Sequence, residues 1–179
     1  MQHRYIDLPE HLPGISALMA YRPETARPLS QLAETILRGP SELTSGERET
    51  IAAYVSRRND CVFCCESHSA AARAHLGDNA GLVDEVLTDV SCANIDDKLR
   101  SLLMIASRVV DGGLTVRSED IERARAAGAS DQAIHDAVLV AAAFCMYNRY
   151  VDALGTWAPA AGDERYVASG ERLAREGYV

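Results

Sequence analysis

Helix-starting and helix-ending residues divide nearly the whole sequence into helical segments, and few stretches alternate in the way a strand does. Thr44-Ser45-Gly46-Glu47 forms a capping box, with Thr44 as the N-cap and Glu47 reaching back to it. From Asp96 to Val110, apolar residues recur at the helical period and define one face. These signals predict an all-α protein of about seven to nine helices.

The predicted helix boundaries follow from the same signals. Residues 5–25 contain three prolines, which predicts an irregular arm with one short turn. Asp60, Ser118 and Ser130 are the predicted N-caps of three later helices. The predicted helices span residues 27–37, 45–58, 61–75, 81–88, 96–111, 119–127, 131–154 and 163–176.

Length and composition narrow the class of protein. A chain of 179 residues, 47% of them hydrophobic, suits one globular domain over residues 1–179. A net charge of -8 without a basic stripe argues against nucleic acid as a partner, and no apolar run is long enough to cross a bilayer. Residues 1–5 lack the apolar stretch of a secretory signal, so we expect a cytoplasmic protein. Five cysteines in that reducing compartment favour catalytic, redox or metal roles, or simple burial, over a disulfide framework.

The stretch Cys61-Val62-Phe63-Cys64, followed by His68, carries the chemistry. On a helix, Cys61 and Cys64 are i,i+3 neighbours, and Cys64 and His68 are i,i+4 neighbours. Helix positions three apart lie within the Cα separation that a disulfide accepts, about 4.4–6.8 Å. Thiolate chemistry uses this combination of an attacking sulfur, a second sulfur and a nearby base.

The position of the two thiols on their helix favours the charged form. Both fall in the first turn of a helix that we expect to begin after Asp60, where unpaired backbone N–H groups stabilise an anion. Glu49 lies twelve positions before Cys61 on the preceding helix. If the two helices fold back on each other, the Glu49 carboxylate can face the thiols, where burial would raise its pKa and let it shuttle protons.

These residues resemble the signature of the alkylhydroperoxidase D family, part of the carboxymuconolactone decarboxylase superfamily. The resemblance rests on residues 49–56, Asn59, the Cys61–Cys64 motif and His68, within a core motif at residues 43–76. Residues 144–155 extend it toward the peroxidase-related branch of that family. The resemblance implies an all-α fold and homo-oligomeric assembly, often as trimers or hexamers.

The resemblance also implies roles for four residues. Cys64 would be the peroxidatic cysteine that attacks a hydroperoxide and becomes a sulfenic acid. Cys61 would resolve it as a disulfide, which an external dithiol would reduce. Glu49 and His68 would form the proton relay. The implied activity is thiol-dependent reduction of hydrogen peroxide or organic hydroperoxides.

The sequence departs from the family pattern at two positions. Some members have a second histidine between the two cysteines, where this chain has Phe63. Cys65 is an additional thiol beside Cys64, and the helical period turns it about 100° away. Cys65 is therefore expected to pack elsewhere, although it could compete as a resolving thiol.

Other functions stay open at this stage. Cys61, Cys64 and His68 could supply three zinc ligands, with Cys65 as a fourth, but structural zinc sites draw on two separate ligand pairs and no second pair exists. We therefore expect neither a metal nor a cofactor. Haem attachment is excluded because Cys65 occupies the place of the required histidine.

Two further alternatives concern the thiol pair itself. One is the decarboxylase activity of the superfamily on a lactone acid, which needs no redox pair of thiols. The other is a non-catalytic redox sensor or oligomeric scaffold that keeps Cys61 and Cys64 as a switch.

Overall fold

Nine α-helices make up most of residues 5–179, the part of the chain that this computed structural model describes, and no strand occurs among those residues. The all-α prediction is thereby confirmed. None of these helices is long and apolar enough to cross a membrane. The helices are α1 (Gly14–Tyr21), α2 (Pro23–Arg38), α3 (Ser45–Arg58), α4 (Val62–Leu76), α5 (Leu82–Thr88), α6 (Asp97–Asp111), α7 (Ser118–Ala126), α8 (Asp131–Ala153) and α9 (Glu164–Glu176), with 3-10 turns at Gly77–Asn79 and Gly113–Thr115.

The capping signals in the sequence act as predicted at two helix starts. Thr44 Oγ1 accepts a hydrogen bond from the Glu47 N–H at 3.2 Å, and the Thr44 N–H donates to Glu47 Oε2 at 2.7 Å. The predicted cap Ser130 likewise accepts a backbone N–H at the start of α8. Asp96 and Asp163, which were not predicted as caps, accept one at the starts of α6 and α9. Each bond satisfies a donor that the first helical turn leaves unpaired.

The prediction of an irregular arm over residues 5–25 is wrong from Gly14 onward. Two helices occupy Gly14–Tyr21 and Pro23–Arg38, so the second begins four residues before the predicted start. Pro23 opens α2, where a helix needs no N–H donor. Pro28 lies inside α2 but is exposed to solvent, where water can bond the carbonyl that its missing N–H leaves unpaired.

Two predicted N-caps are also corrected. Asp60 has φ of +57° and belongs to the turn between α3 and α4, so Cys61 is the N-cap of α4. A short polar side chain tolerates this left-handed conformation better than most residues. Ser118 is the first residue of α7, and Arg117 is its N-cap, with its N–H donating to Asp120 Oδ2 at 3.2 Å.

Helices α3 and α4 form an antiparallel hairpin. Gly46 at the start of α3 lies against Leu76 at the end of α4, Glu49 bonds to His68, and the Cys61 N–H at the other end donates to the Ser56 carbonyl at 3.0 Å. The hairpin therefore brings the first turn of α4 beside the last turn of α3, as the sequence analysis required.

Two apolar clusters surround this hairpin. The main core joins α3 to α6 and α8 and includes the fully buried side chains of Ile51, Leu103 and Phe144. A smaller cluster joins Leu8 and α1 to the two thiols and to Val151 of α8. Since burial of apolar surface is the main stabilising term, the second cluster fixes the amino-terminal segment over the start of α4.

Helix α9 packs on the outer side of α4 at very close range. A Cβ atom added to Gly170 would lie 2.5 Å from the Ala70 carbonyl carbon and 2.7 Å from the Ala71 nitrogen. Backbone atoms cannot move aside as a flexible side chain can. Only glycine therefore permits this approach, which sets how near α9 and the residues that follow it come to α4.

We predict that Gly170→Ala lowers the free energy of unfolding by about 1–3 kcal/mol, because overpacking against backbone outweighs the helix propensity gained. Gly113→Ala is the matched control, since its new Cβ meets open space and its φ lies outside the left-handed region. Urea denaturation of both variants measures the difference. Equal stabilities would contradict the packing argument.

Candidate active site

The turn between α3 and α4 presents Cys61 and Cys64 on one helix end. Cys61 is the N-cap of α4, and its carbonyl accepts the Cys65 N–H at 2.9 Å. Cys64 is then the third residue of the helix, in the turn where backbone N–H groups favour an anion. All five cysteines are free thiols.

The two thiols are shielded from solvent. Cys61 is 1% exposed and Cys64 is 4% exposed, and both belong to the smaller apolar cluster with Leu8, Leu18 and Val151. Burial disfavours a thiolate unless specific groups stabilise it. The contacts around each sulfur therefore decide which thiol ionises.

Those contacts favour the thiolate at Cys64. A hydrogen bond from Cys61 lowers the pKa of the Cys64 thiol, and the positive charge of His68 and a hydrogen bond from Asn148 lower it further, against the opposing effect of burial. The same thiol–thiol bond, together with burial, raises the pKa of Cys61. Cys64 is therefore the thiol of the pair that ionises more readily, and Cys61 is its hydrogen-bond donor.

The Glu49 carboxylate points into the protein and bonds to His68. It is fully buried, and its Oε2 lies 2.7 Å from His68 Nδ1. Glu47, two residues earlier, is occupied by the capping box at the start of α3. Because an ionised carboxylate only accepts hydrogen bonds, this contact assigns the proton to Nδ1 and leaves Nε2 as the ring nitrogen that can accept one.

Tyr178 completes this cluster from a distant part of the chain. Its hydroxyl donates to Glu49 Oε1 at 2.5 Å and lies 3.3 Å from His68 Nδ1. The Tyr178 ring stacks on the His68 ring at 6.0 Å, and Phe144 meets the same imidazole edge-on at 4.5 Å. Two rings and a carboxylate thus hold the orientation of His68.

Asn148, which bridges the hairpin and α8, was not among the predicted site residues. Its amide donates to Ser56 Oγ at 3.0 Å, and its Oδ1 accepts from Asn59 Nδ2 at 2.9 Å. The same side chain bonds to Cys64 and stabilises its thiolate. A polar residue in an otherwise apolar helix was the available signal.

Asp152 and Tyr178 were missed as well. Asp152 lies one helical turn after Asn148, within hydrogen-bonding reach of Cys61. The Asp152 side chain is exposed, but partial desolvation raises the pKa of its carboxyl, and the contact with Cys61 partly offsets this effect. The sequence spacing gives no sign that Tyr178 reaches a residue 129 positions earlier.

Cys65 faces away from the Glu49–His68 pair, as its helical position predicts. It is buried, and burial raises the pKa of its thiol. Cys61 and Cys65 share a cleft of about 270 Å³ that is also lined by Arg57 and Glu66. This cleft gives solvent a route to the Cys61 side of the thiol pair.

The structure therefore brings together all four residues singled out in the sequence. Cys61 bonds to Cys64, and Glu49 bonds to His68 across the hairpin. Within residues 5–179, no cluster of three or more His, Cys, Asp and Glu side chains is arranged to hold a metal ion.

Comparison with known proteins relates this fold and site to one family. The family model of the carboxymuconolactone decarboxylases matches residues 23–94. None of the curated proteins matches the chain.

Solved structures extend the similarity beyond the matched segment. The chain resembles a peroxidase-related protein with an alkylhydroperoxidase AhpD core from Ralstonia eutropha JMP134, at 25% identity and a TM-score of 0.77, over 89% of this chain and 82% of that one. It also resembles a peroxidase-related protein from Silicibacter sp. TM1040, at 26% identity and a TM-score of 0.76, over 88% and 80% of the two chains. A protein of unknown function from Agrobacterium tumefaciens shares the fold at 19% identity and a TM-score of 0.67, over 79% and 95% of the two chains.

We predict that a thiol-alkylating reagent modifies Cys64 at least about tenfold faster than Cys65 at neutral pH. The two residues are adjacent and similarly buried, but the pKa is lowered at Cys64 and raised at Cys65. Labelling of Cys64 should also reach its plateau at a lower pH. Peptide mass spectrometry after timed labelling measures both rates, and exposed Cys92 shows that the reagent is active. Faster labelling of Cys65 would contradict the assignment.

Proposed function

The chain belongs to the alkylhydroperoxidase D-like group of the carboxymuconolactone decarboxylase superfamily, and from this membership we propose that it is a thiol-dependent peroxidase. The substrate is hydrogen peroxide or an organic hydroperoxide. One observation carries the proposal: a thiol of lowered pKa, Cys64, lies between a second thiol and a buried Glu49–His68 pair.

The first step oxidises Cys64. His68 Nε2 accepts the proton of the Cys64 thiol, while the Glu49 carboxylate stabilises the imidazolium that forms. The thiolate attacks one peroxide oxygen, an S–O bond forms and the O–O bond breaks. The leaving alkoxide or hydroxide takes the proton from His68, and Cys64 becomes a sulfenic acid.

The second step forms a disulfide. Cys61 loses its proton, for which Asp152 is within reach, and attacks the Cys64 sulfur. The S–S bond forms, the S–O bond breaks, and the leaving hydroxide takes up the proton that Cys61 released and departs as water. Because the two thiols are already in contact, this step needs little backbone movement.

An external dithiol then restores the two thiols. One thiolate of the reductant attacks the disulfide, and its second thiol releases the mixed disulfide, so the reductant leaves oxidised by two electrons. We propose that it approaches Cys61 through the cleft shared with Cys65 and Arg57. Assembly as a homo-oligomer of three or six subunits and a cytoplasmic location remain predictions.

The thiol pair favours this chemistry over the lyase activity that gives the superfamily its name. Decarboxylation of a lactone acid requires no thiolate beside a second thiol. In this chain the buried polar groups converge on Cys64: Asn148 and Cys61 bond to it, and His68 acts on it by charge. Such an arrangement stabilises a negative charge on sulfur. The thiolate that carries this charge is the form that attacks a peroxide.

We predict that Cys64→Ser abolishes peroxide consumption in the presence of a small-molecule dithiol. In the absence of the dithiol, Cys61→Ser should consume about one peroxide per subunit and keep a sulfenic acid at Cys64, because it has no resolving thiol. Stopped-flow peroxide consumption and the intact mass of the oxidised protein test both outcomes.

The control for this experiment is Cys92→Ser. Cys92 is an exposed thiol that does not line the cleft beside Cys61, and its loss should leave turnover nearly unchanged. Undiminished turnover by Cys64→Ser would refute the proposed function.

We predict that Glu49→Gln lowers the peroxide-dependent rate by about 10²- to 10⁴-fold, the range for loss of acid–base catalysis. A neutral amide cannot stabilise the imidazolium of His68. Glu47→Gln is the control on the same helix, because glutamine can still serve the capping box outside the site. Equal loss in both variants would indicate a structural effect on α3.

A further inference from the structure

We propose that Tyr178 is a positioning residue of the proton relay, and that its hydroxyl sets the pH at which the Glu49–His68 pair takes up a proton. Tyr178 acts through Glu49 and His68. The inference rests on the proposed function for its effect on turnover, but its effect on the pair can be measured without turnover.

The Tyr178 hydroxyl contacts both members of the Glu49–His68 pair. Tyr178 Oη donates to Glu49 Oε1 at 2.5 Å, while His68 Nδ1 lies 2.7 Å from Oε2. The third side of this triangle, from Tyr178 Oη to His68 Nδ1, is 3.3 Å. The hydroxyl is therefore the second donor to a carboxylate that is fully buried.

Several bonds fix Tyr178 in this position after α9. Its N–H donates to Glu34 Oε2 at 2.8 Å, and Arg38 bonds to Glu34 and to the carbonyls of Leu173 and Ala174. Gly177 precedes it with φ of +87°, and a Cβ there would lie 2.4 Å from Glu34 Oε2. These contacts from α2 and α9 fix the position of Tyr178.

The hydroxyl remains a donor over the working pH range. Burial, the negative charge of Glu49 and the hydrogen bond to it all raise the pKa of Tyr178 well above its usual value. The ionised phenol is therefore excluded beside the carboxylate. A permanent donor matters because a buried carboxylate that loses a hydrogen bond is strongly destabilised.

The direction of the effect follows from which form the hydroxyl stabilises. The Tyr178 O–H bonds to the deprotonated carboxylate, so its removal makes proton uptake by the Glu49–His68 pair more favourable. The midpoint of that uptake then moves to higher pH. Because His68 must be unprotonated at Nε2 to accept the Cys64 proton, the acid limb of the rate profile moves in the same direction.

The test compares Tyr178→Phe with Tyr147→Phe. Both keep the ring and remove a hydroxyl, but Tyr147 donates to the Leu29 carbonyl at 2.9 Å and touches neither Glu49 nor His68. The first readout is the NMR titration of the His68 ring in protein labelled at histidine. The second is the rate of peroxide-dependent thiol loss as a function of pH.

We expect Tyr178→Phe to raise both midpoints by about one pH unit and Tyr147→Phe to leave them unchanged. On a Glu49→Gln background, Tyr178→Phe should have no further effect on the His68 titration. A second variant, Glu34→Ala, removes the acceptor of the Tyr178 N–H and should raise the midpoints by a smaller amount. This variant tests the inference if Tyr178→Phe folds poorly.

An unchanged His68 titration in folded Tyr178→Phe would overturn the inference, and so would an equal shift in Tyr147→Phe. Failure of the proposed function has a different signature, because wild-type protein would then show no peroxide-dependent thiol loss. The His68 titration still decides the role of Tyr178 in that case.

Discussion

The hydrogen bond between Glu49 and His68 is the interaction on which the rest of the site depends. A fully buried carboxylate is unstable unless every contact around it is polar and well placed, so the fold must bring donors to it. The α3–α4 hairpin supplies His68, and the residues after α9 supply Tyr178. The close packing of α9 on α4 at Gly170 is therefore part of the site as well as part of the fold.

Local signals were sufficient to predict much of the fold. The predicted caps at Thr44 and Ser130 involve residues a few positions apart, and the structure confirms both of them. Pro23 misled the prediction of where α2 begins, because a proline interrupts a helix only where its missing donor or its ring meets a constraint. Pro23 and Pro28 meet neither, since one opens the helix and the other faces water.

The candidate site was predictable only where it is local in sequence. The spacing of Cys61, Cys64 and His68 indicated thiolate chemistry. The position of the two thiols near the start of a helix indicated that a negative charge on sulfur is stabilised there. Glu49 could not be separated from Glu47 by periodicity, because nearly every residue of α3 after Glu47 is buried and no face marks the inside. Tyr178 and Asn148 come from parts of the chain 129 and 89 positions away from their partners, Glu49 and Asn59. Only the folded chain shows these contacts.

The surroundings of the two sulfurs lower the pKa of Cys64 and raise the pKa of Cys61, and this difference affects the energetics of oxidation. Cys61, Asn148 and His68 all stabilise a negative charge on Cys64, and that charge exists only in the dithiol form. Joining the sulfurs in a disulfide discards this stabilisation while the buried donors remain in place. In the cycle that we propose, the reduced state would thereby be favoured, and the disulfide would be a better electron acceptor than an unstrained structural disulfide. The hydrogen bonds that stabilise the Cys64 thiolate would then also favour its return from the disulfide.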